Sequence, residues 1–222
     1  GMHVKNKAYG YNSGRINNTQ DYGVYVIGGD TGFINEETGI VSNSGNYGIY
    51  VSSSARAENY GHVENDQEYG MFAVVDSTAV NEETGIIANK GSVGMLAAIN
   101  SDALNMGIIE NQNNTGMYIT DGSRGINEGI IRNTGDQGIL VTEDSKVTNY
   151  GIIENTGDYG IILDTGGKAT NNGIIRNGGN YGIYSKNSGE PAMVINNGTI
   201  HLTGDNKTGV YVSNTNFTNN GT

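Results

Sequence analysis

The chain repeats itself about every 22 residues, and a repeat of that length decides architecture before any other feature. The segment Asn127-Glu128-Gly129-Ile130-Ile131-Arg132-Asn133 returns as Asn149-Tyr150-Gly151-Ile152-Ile153-Glu154-Asn155. It returns again as Asn171-Asn172-Gly173-Ile174-Ile175-Arg176-Asn177. The leading glycines are Gly14, Gly39, Gly61, Gly85, Gly107, Gly129, Gly151, Gly173, Gly198 and Gly221, 22 to 25 residues apart. A second glycine follows nine residues later, from Gly23 through Gly182, and slips to Gly209 in the last unit. An apolar residue stands two after the leading glycine, as in Ile16, Val41, Val63, Ile87, Ile109, Ile131, Ile153, Ile175 and Ile200.

An asparagine stands four after the leading glycine: Asn18, Asn43, Asn65, Asn89, Asn111, Asn133, Asn155 and Asn177. After the second glycine comes an apolar-x-apolar triplet such as Ile161-Ile162-Leu163, then a small apolar position such as Ala57, Ala79 or Ala103, two before another asparagine. This alternation has period two, so the pieces read as strands rather than helices. Three short strands divided by Gly/Asn turns fill one unit. A single unit cannot bury its inward side chains, whereas units stacked in parallel do. The sequence therefore predicts an all-β chain, a right-handed parallel β-helix (solenoid) of about ten rungs with a 22-residue repeat. At one strand spacing per rung the rod is about 48 Å long. Residues 1–222 form one β-helical body, with Gly1-Met2 expected to be a cloning scar.

Composition follows from this plan. There are 36 glycines and 32 asparagines, which suit sharp corners that need left-handed backbone conformations. An asparagine recurring at one rung position is expected to build an amide ladder along the axis, the role assigned to Asn18 through Asn177. Three after the leading glycine, Glu110, Arg132, Glu154 and Arg176 alternate in charge on successive rungs, which favours this register over a slipped one.

Several functions are excluded or disfavoured. The chain has no cysteine, so thiol and disulfide chemistry is absent. Twelve basic against 23 acidic residues give a formal charge of -11, a poor balance for binding nucleic acid. His3, His62 and His201 share no metal-ligand spacing, and no phosphate-loop or nucleophile-elbow sequence occurs. Glu36-Glu37 and Glu82-Glu83 are acidic pairs at corresponding corners, a candidate cation site for which a solvated turn is the favoured reading. No cofactor and no metal are expected. The insertions are short: two residues at 35–38 and at 81–84, about three from Asn187 to Pro191, and two from Thr203 to Lys207. No long loop shields a reacting group from water, so catalysis is not expected.

One surface feature stands out. The middle residue of the second strand is expected to face solvent, and it reads Tyr25, Tyr50, Phe72, Leu96, Tyr118, Leu140, Ile162, Tyr184 and Tyr211. Such a stripe is a candidate binding surface, through Tyr25, Tyr50, Phe72, Leu96, Tyr118, Tyr184 and Tyr211 above all. The alternative is that stacked aromatic and branched side chains simply hold the ladder together. A second file, Tyr22, Tyr47, Tyr69, Tyr159 and Tyr181, reads as turn packing.

The units resemble the passenger repeats of bacterial type V autotransporters, specifically the large fusobacterial outer-membrane adhesins. The resemblance rests on Asn172-Gly173-Ile174-Ile175-Arg176-Asn177 with Tyr181-Gly182-Ile183-Tyr184. It extends to Asn197-Gly198-Thr199-Ile200, Thr208-Gly209-Val210-Tyr211-Val212 and Asn220-Gly221-Thr222. It implies export to the cell surface, a β-helical stalk, and adhesion to an unidentified glycan or protein of host or bacterial surfaces. Membrane attachment would come only through a C-terminal translocating barrel that this chain lacks, so the chain reads as an excised fragment whose open ends are expected to fray or to associate end to end. A pure spacer carrying a distal head, and a β-helical polysaccharide lyase or hydrolase, are the alternative functions; the lyase requires a carboxylate cluster in a groove.

Overall fold

The computed structural model describes residues 1–186 and 190–222. Among these residues there are strands and turns and no helix. The chain is a parallel β-helix of about ten turns, in which the strands form three stacked sheets of ten, ten and nine strands. Sheet 1 runs from Met2–Lys5 to Thr208–Ser213, sheet 2 from Tyr9–Asn12 to Thr215–Asn219, and sheet 3 from Arg15–Asn18 to Thr199–Leu202. Every neighbouring pair is parallel, and the partners lie one repeat apart. Ile109, Ile131, Ile153 and Ile175 are successive partners in a single file, each wholly buried.

The inward side chains of the three sheets fill the interior. Sheet 1 contributes Ile49, Met71, Met95, Met117, Ile139 and Ile161, and sheet 3 the isoleucine file. Sheet 2 contributes mainly alanines, and the volumes compensate within a rung. Where Ala97 gives way to Ile119 on the next rung of sheet 1, Ala103 gives way to Gly125 on sheet 2. A Cβ on Gly125 would stand 2.7 Å from the Ile119 Cδ1, so the glycine makes room for the larger partner.

The corners use glycine and asparagine only in part as the sequence suggested: Gly28, Gly122, Gly166, Asn6 and Asn100 are left-handed there, beside serine, aspartate, valine and isoleucine. Neither the leading glycines nor the ladder asparagines adopt a positive φ. The leading glycines are required for approach: a Cβ on Gly129 would collide with the carbonyl oxygen of Gly107, and one on Gly151 with that of Gly129. Apart from Gly204 and Asn206, the left-handed residues lie between sheets 1 and 2, as in the pairs Ser53-Ser54, Val75-Asp76, Ile99-Asn100, Asp121-Gly122, Glu143-Asp144 and Thr165-Gly166. Backbone bonds between rungs hold this corner, as from the Asp76 N–H to the Ile99 oxygen at 3.0 Å. The rung stack thus imposes a conformation that Val75 and Ile99 resist.

Of the steps at 35–38 and 81–84, Asn35 and Asn81 are buried ends of strands and the residues after them are surface turns, as is 203–207. The expected insertion from Asn187 to Pro191 lies outside the described residues at 187–189.

Candidate functional site

Two asparagine files run the length of the rod. On sheet 3, Asn18 donates to Asn43, Asn43 to Asn65, and so on through Asn89, Asn111, Asn133 and Asn155 to Asn177, at 2.8–3.2 Å. On sheet 2 an equivalent file joins Asn12, Asn35, Asn59, Asn81, Asn105, Asn127, Asn149, Asn171, Asn196 and Asn219 at 2.7–2.8 Å. The spare amide hydrogens go to backbone carbonyls, as from Asn133 to the Gln137 oxygen at 2.8 Å. Among the described residues no buried side-chain nitrogen or oxygen lacks a partner. These residues are structural, and their satisfaction leaves nothing to bind a ligand.

The tyrosine face lies on the outside of sheet 1. The strands Tyr22–Ile27, Tyr47–Ser52, Tyr69–Val74 and Tyr181–Lys186 begin with a tyrosine, turn the following glycine inward, and present a second ring three residues on. A Cβ at Gly48 would meet the Val63 side chain at 2.7 Å, so the inward glycine lets the strand close on the core. Tyr22, Tyr47 and Tyr69 therefore do not sit in turns; they stack on one another at 5.1 and 5.3 Å, with interplanar angles of 11° and 13°. They also contact the central file: Tyr22 lies 4.9 Å from Tyr25, Tyr47 5.1 Å from Tyr50, and Tyr69 5.2 Å from Phe72. A second cluster joins Tyr159, Tyr181, Tyr184 and Tyr211, with Tyr184 stacked on Tyr211 at 5.1 Å.

The expected stripe is in continuous register from Tyr25 to Tyr211, but it is only partly exposed, and the aromatic rings beside it fall into two clusters. Tyr25, Tyr50, Phe72, Tyr118 and Tyr184 are half-buried and Tyr211 is 40% exposed. Leu96 was expected to face solvent, yet it is 5% exposed. It points out of the sheet but is flanked in register by Phe72 and Tyr118 and packs with Val74, Val93 and Ala98. The larger neighbours close over it. The side chains that separate the two clusters at the tyrosine position are Val93, Thr115 and Gln137.

Crowding raises the phenol pKa values. Tyr47 is pushed up to about 12, first by burial and then by its neighbours Tyr69 and Tyr22. Burial also raises Tyr50, Tyr69 and Tyr159. These phenols remain neutral donors at any physiological pH. Tyr22, Tyr47 and Tyr69 turn their ring faces toward each other along the rod, while Tyr25 with Tyr50 and Tyr50 with Phe72 meet edge to face, so most faces are taken up by neighbouring rings. A sugar needs an exposed ring face to stack on, so these rings offer hydrogen bonds more than platforms.

On sheet 3, Arg132 bridges Glu110 at 3.2 Å and Glu154 at 3.3 Å, and Arg176 reaches Glu154 at 3.0 Å. Beside this ladder lie open hollows of about 390 and 400 Å³, the first lined by His62, Glu64 and Lys90 among others, the second by Arg132, Glu154 and Arg176. Arg132 and Glu154 occupy each other there, which leaves no free acid poised for proton transfer. The three histidines are apart: His3 stacks on Tyr25 at 4.8 Å, His62 lies 4.0 Å from Glu64, and His201 sits in register with Arg176. Among the described residues no cluster of three or more potential metal ligands occurs. Nor is any helix there long and apolar enough to cross a membrane.

Sequence reading missed that the two tyrosine files share one face. The signal was available, because a glycine of an inward strand position separates Tyr22 from Val24 and Tyr25 in every such unit. It also missed an outward apolar file on sheet 3, Ile86, Ile108, Ile130, Ile152 and Ile174, all half-buried and in register.

The fold and its surface define a β-solenoid with an aromatic outer face. Comparison with protein-family models, with curated proteins and with solved structures finds no match for this chain.

Proposed function

We propose that this chain is a structural and adhesive segment of a secreted autotransporter passenger, displayed at the cell surface from the outer membrane, and that it catalyses nothing. The observation that carries this reading is the unbroken register of three sheets over about ten turns, connected by short turns. Such a body is stiff along its axis and suits a stalk. Its repeats resemble those of surface adhesins, and the tyrosine face supplies an outward row of hydroxyls and ring edges that suits contact with a glycan or protein.

The test is binding of the chain to glycan arrays and to host and bacterial cells, with Tyr50→Ala and Tyr118→Ala compared at unchanged circular dichroism. Loss of attachment in either variant supports adhesion through this face. Attachment absent from the intact chain removes the adhesive part. The mutual stacking of the ring faces favours a second reading, a pure spacer, in that event. Release of reducing or unsaturated ends from a polysaccharide panel would refute the non-catalytic reading.

A further inference from the structure

We infer that Arg124, Lys146 and Lys168 form a binding row for a linear acidic glycan, one bearing carboxylate or sulfate groups. The three cations are registered partners on successive strands of sheet 2, and all are exposed. Among the described strand pairs these are the only like-charged partners; on sheet 3 Glu110, Arg132, Glu154 and Arg176 alternate in charge instead. Like charges facing each other across a ladder are unfavourable, so this row carries a cost that the fold does not require. Arg124 is held by Asp102 through two bonds of 2.9 and 3.1 Å. Among the described residues neither Lys146 nor Lys168 takes part in an ion pair.

The surroundings select the partner. Two residues along each strand, Thr148 and Thr170 form a parallel row of half-buried hydroxyl-bearing side chains. On the other side the corner carries exposed Glu143, Asp144 and Asp164. A broad anionic surface such as a lipid bilayer would press those carboxylates against its own charge. A single narrow chain lying along the rod meets the lysines and the threonine row and clears the acids. The row spans two strand spacings, about 10 Å. It is too short in charge for the many phosphate contacts that hold a nucleic acid. The row lies on sheet 2, away from the tyrosine face, so the inference does not rest on adhesion through that face.

The experiment measures binding of heparin, of a carboxylated glycan without sulfate, of neutral dextran, of single-stranded DNA and of anionic vesicles to the 222-residue chain at low salt. Heparin or the carboxylated glycan is expected to bind, with affinity falling as salt rises, and dextran is expected not to bind. Lys146→Gln with Lys168→Gln is expected to weaken binding at least tenfold, while Lys146→Arg with Lys168→Arg retains it. Because the glutamine pair also removes repulsion, it is expected to melt no lower than the parent, which separates lost binding from lost fold. Tyr50→Ala is expected to bind as the parent does. Absence of binding by the intact chain, undiminished binding by the glutamine pair, or equal binding of DNA or vesicles would overturn the inference.

Discussion

The side-chain amide of Asn127 donates to the amide oxygen of Asn149 at 2.7 Å, although 22 residues separate them in sequence. Beside this bond the backbone N–H of Tyr150 donates to the Asn127 carbonyl, also at 2.7 Å, in the opposite sense along the axis. The ladder amides give toward the C-terminal end, and the peptides that follow the sheet 2 file, such as those of Glu128, Tyr150 and Asn172, give back.

Removing one member of this file strands its neighbours. In Asn127→Ala the amide of Asn105 loses its acceptor, bonded at 2.8 Å, and the oxygen of Asn149 loses its donor. All three residues are wholly buried. The expected loss is about 2–4 kcal/mol, one unsatisfied donor plus one unsatisfied acceptor. Asn127→Asp is expected to be at least as harmful, because a carboxylate cannot donate to Asn149. Urea unfolding followed by circular dichroism measures both, and a loss under about 0.5 kcal/mol would show that water replaces the ladder.

Two glycines of the same repeat position should behave differently. At Gly151 a methyl would collide with the carbonyl oxygen of Gly129, backbone that cannot give way without parting the rungs. At Gly14 nothing lies within 4 Å of the added carbon. Gly151→Ala is therefore expected to cost about 3 kcal/mol, and Gly14→Ala close to nothing. Thermal melts of the two variants decide it. Equal effects would mean that the position demands backbone freedom rather than space.

The corner between sheets 1 and 2 invites a stabilising change. Ile99 holds a φ of 54° while 45% exposed, a conformation that a β-branched side chain resists. Asparagine tolerates that region, as Asn100 beside it does at 58°. Ile99→Asn is expected to raise stability by about 1 kcal/mol. A lower melting temperature would show that the exposed isoleucine packs more than its strain costs.

Stability should also fall at high pH for a specific reason. In the unfolded chain Tyr47 ionises near 10, whereas in the fold it holds its proton to about 12. The contribution is complete below about pH 10 and is lost as pH rises toward 12. Tyr47→Phe keeps the ring stack and removes the titration, so its melting temperature should decline less over that window. Ultraviolet absorbance of the phenolate gives the same midpoint independently, and a midpoint near 10 would contradict the crowding described for this ring.

Much of this was legible in the residues, for a physical reason. A solenoid brings position i beside i+22, so spacing in the sequence is distance in the fold, and the partnership of Ile131 with Ile153 follows directly. The alternating charges of Glu110, Arg132 and Glu154 could be read the same way, because outward strand residues keep their register. What could not be read was the outcome of competition within a rung. Leu96 faces outward as its period requires, but the size of Phe72 and Tyr118 determines that it is covered. Left-handed corners were expected, but not at Ser53, Val75 and Ile99, whose own preferences argue against that conformation; the rungs above and below overrule them. Tyr22 read as turn packing because it stands next to the second glycine; instead it opens the strand, Gly23 and Val24 turn inward after it, and its ring meets that of Tyr25.

The uniform direction of the carboxamides has a genetic corollary. Since each one gives to the unit ahead and receives from the unit behind, deleting or duplicating one complete unit restores the same junction at the seam. Unequal crossing-over within such a gene would change the reach of the molecule in steps of a single rung, while its cross-section stayed as it was.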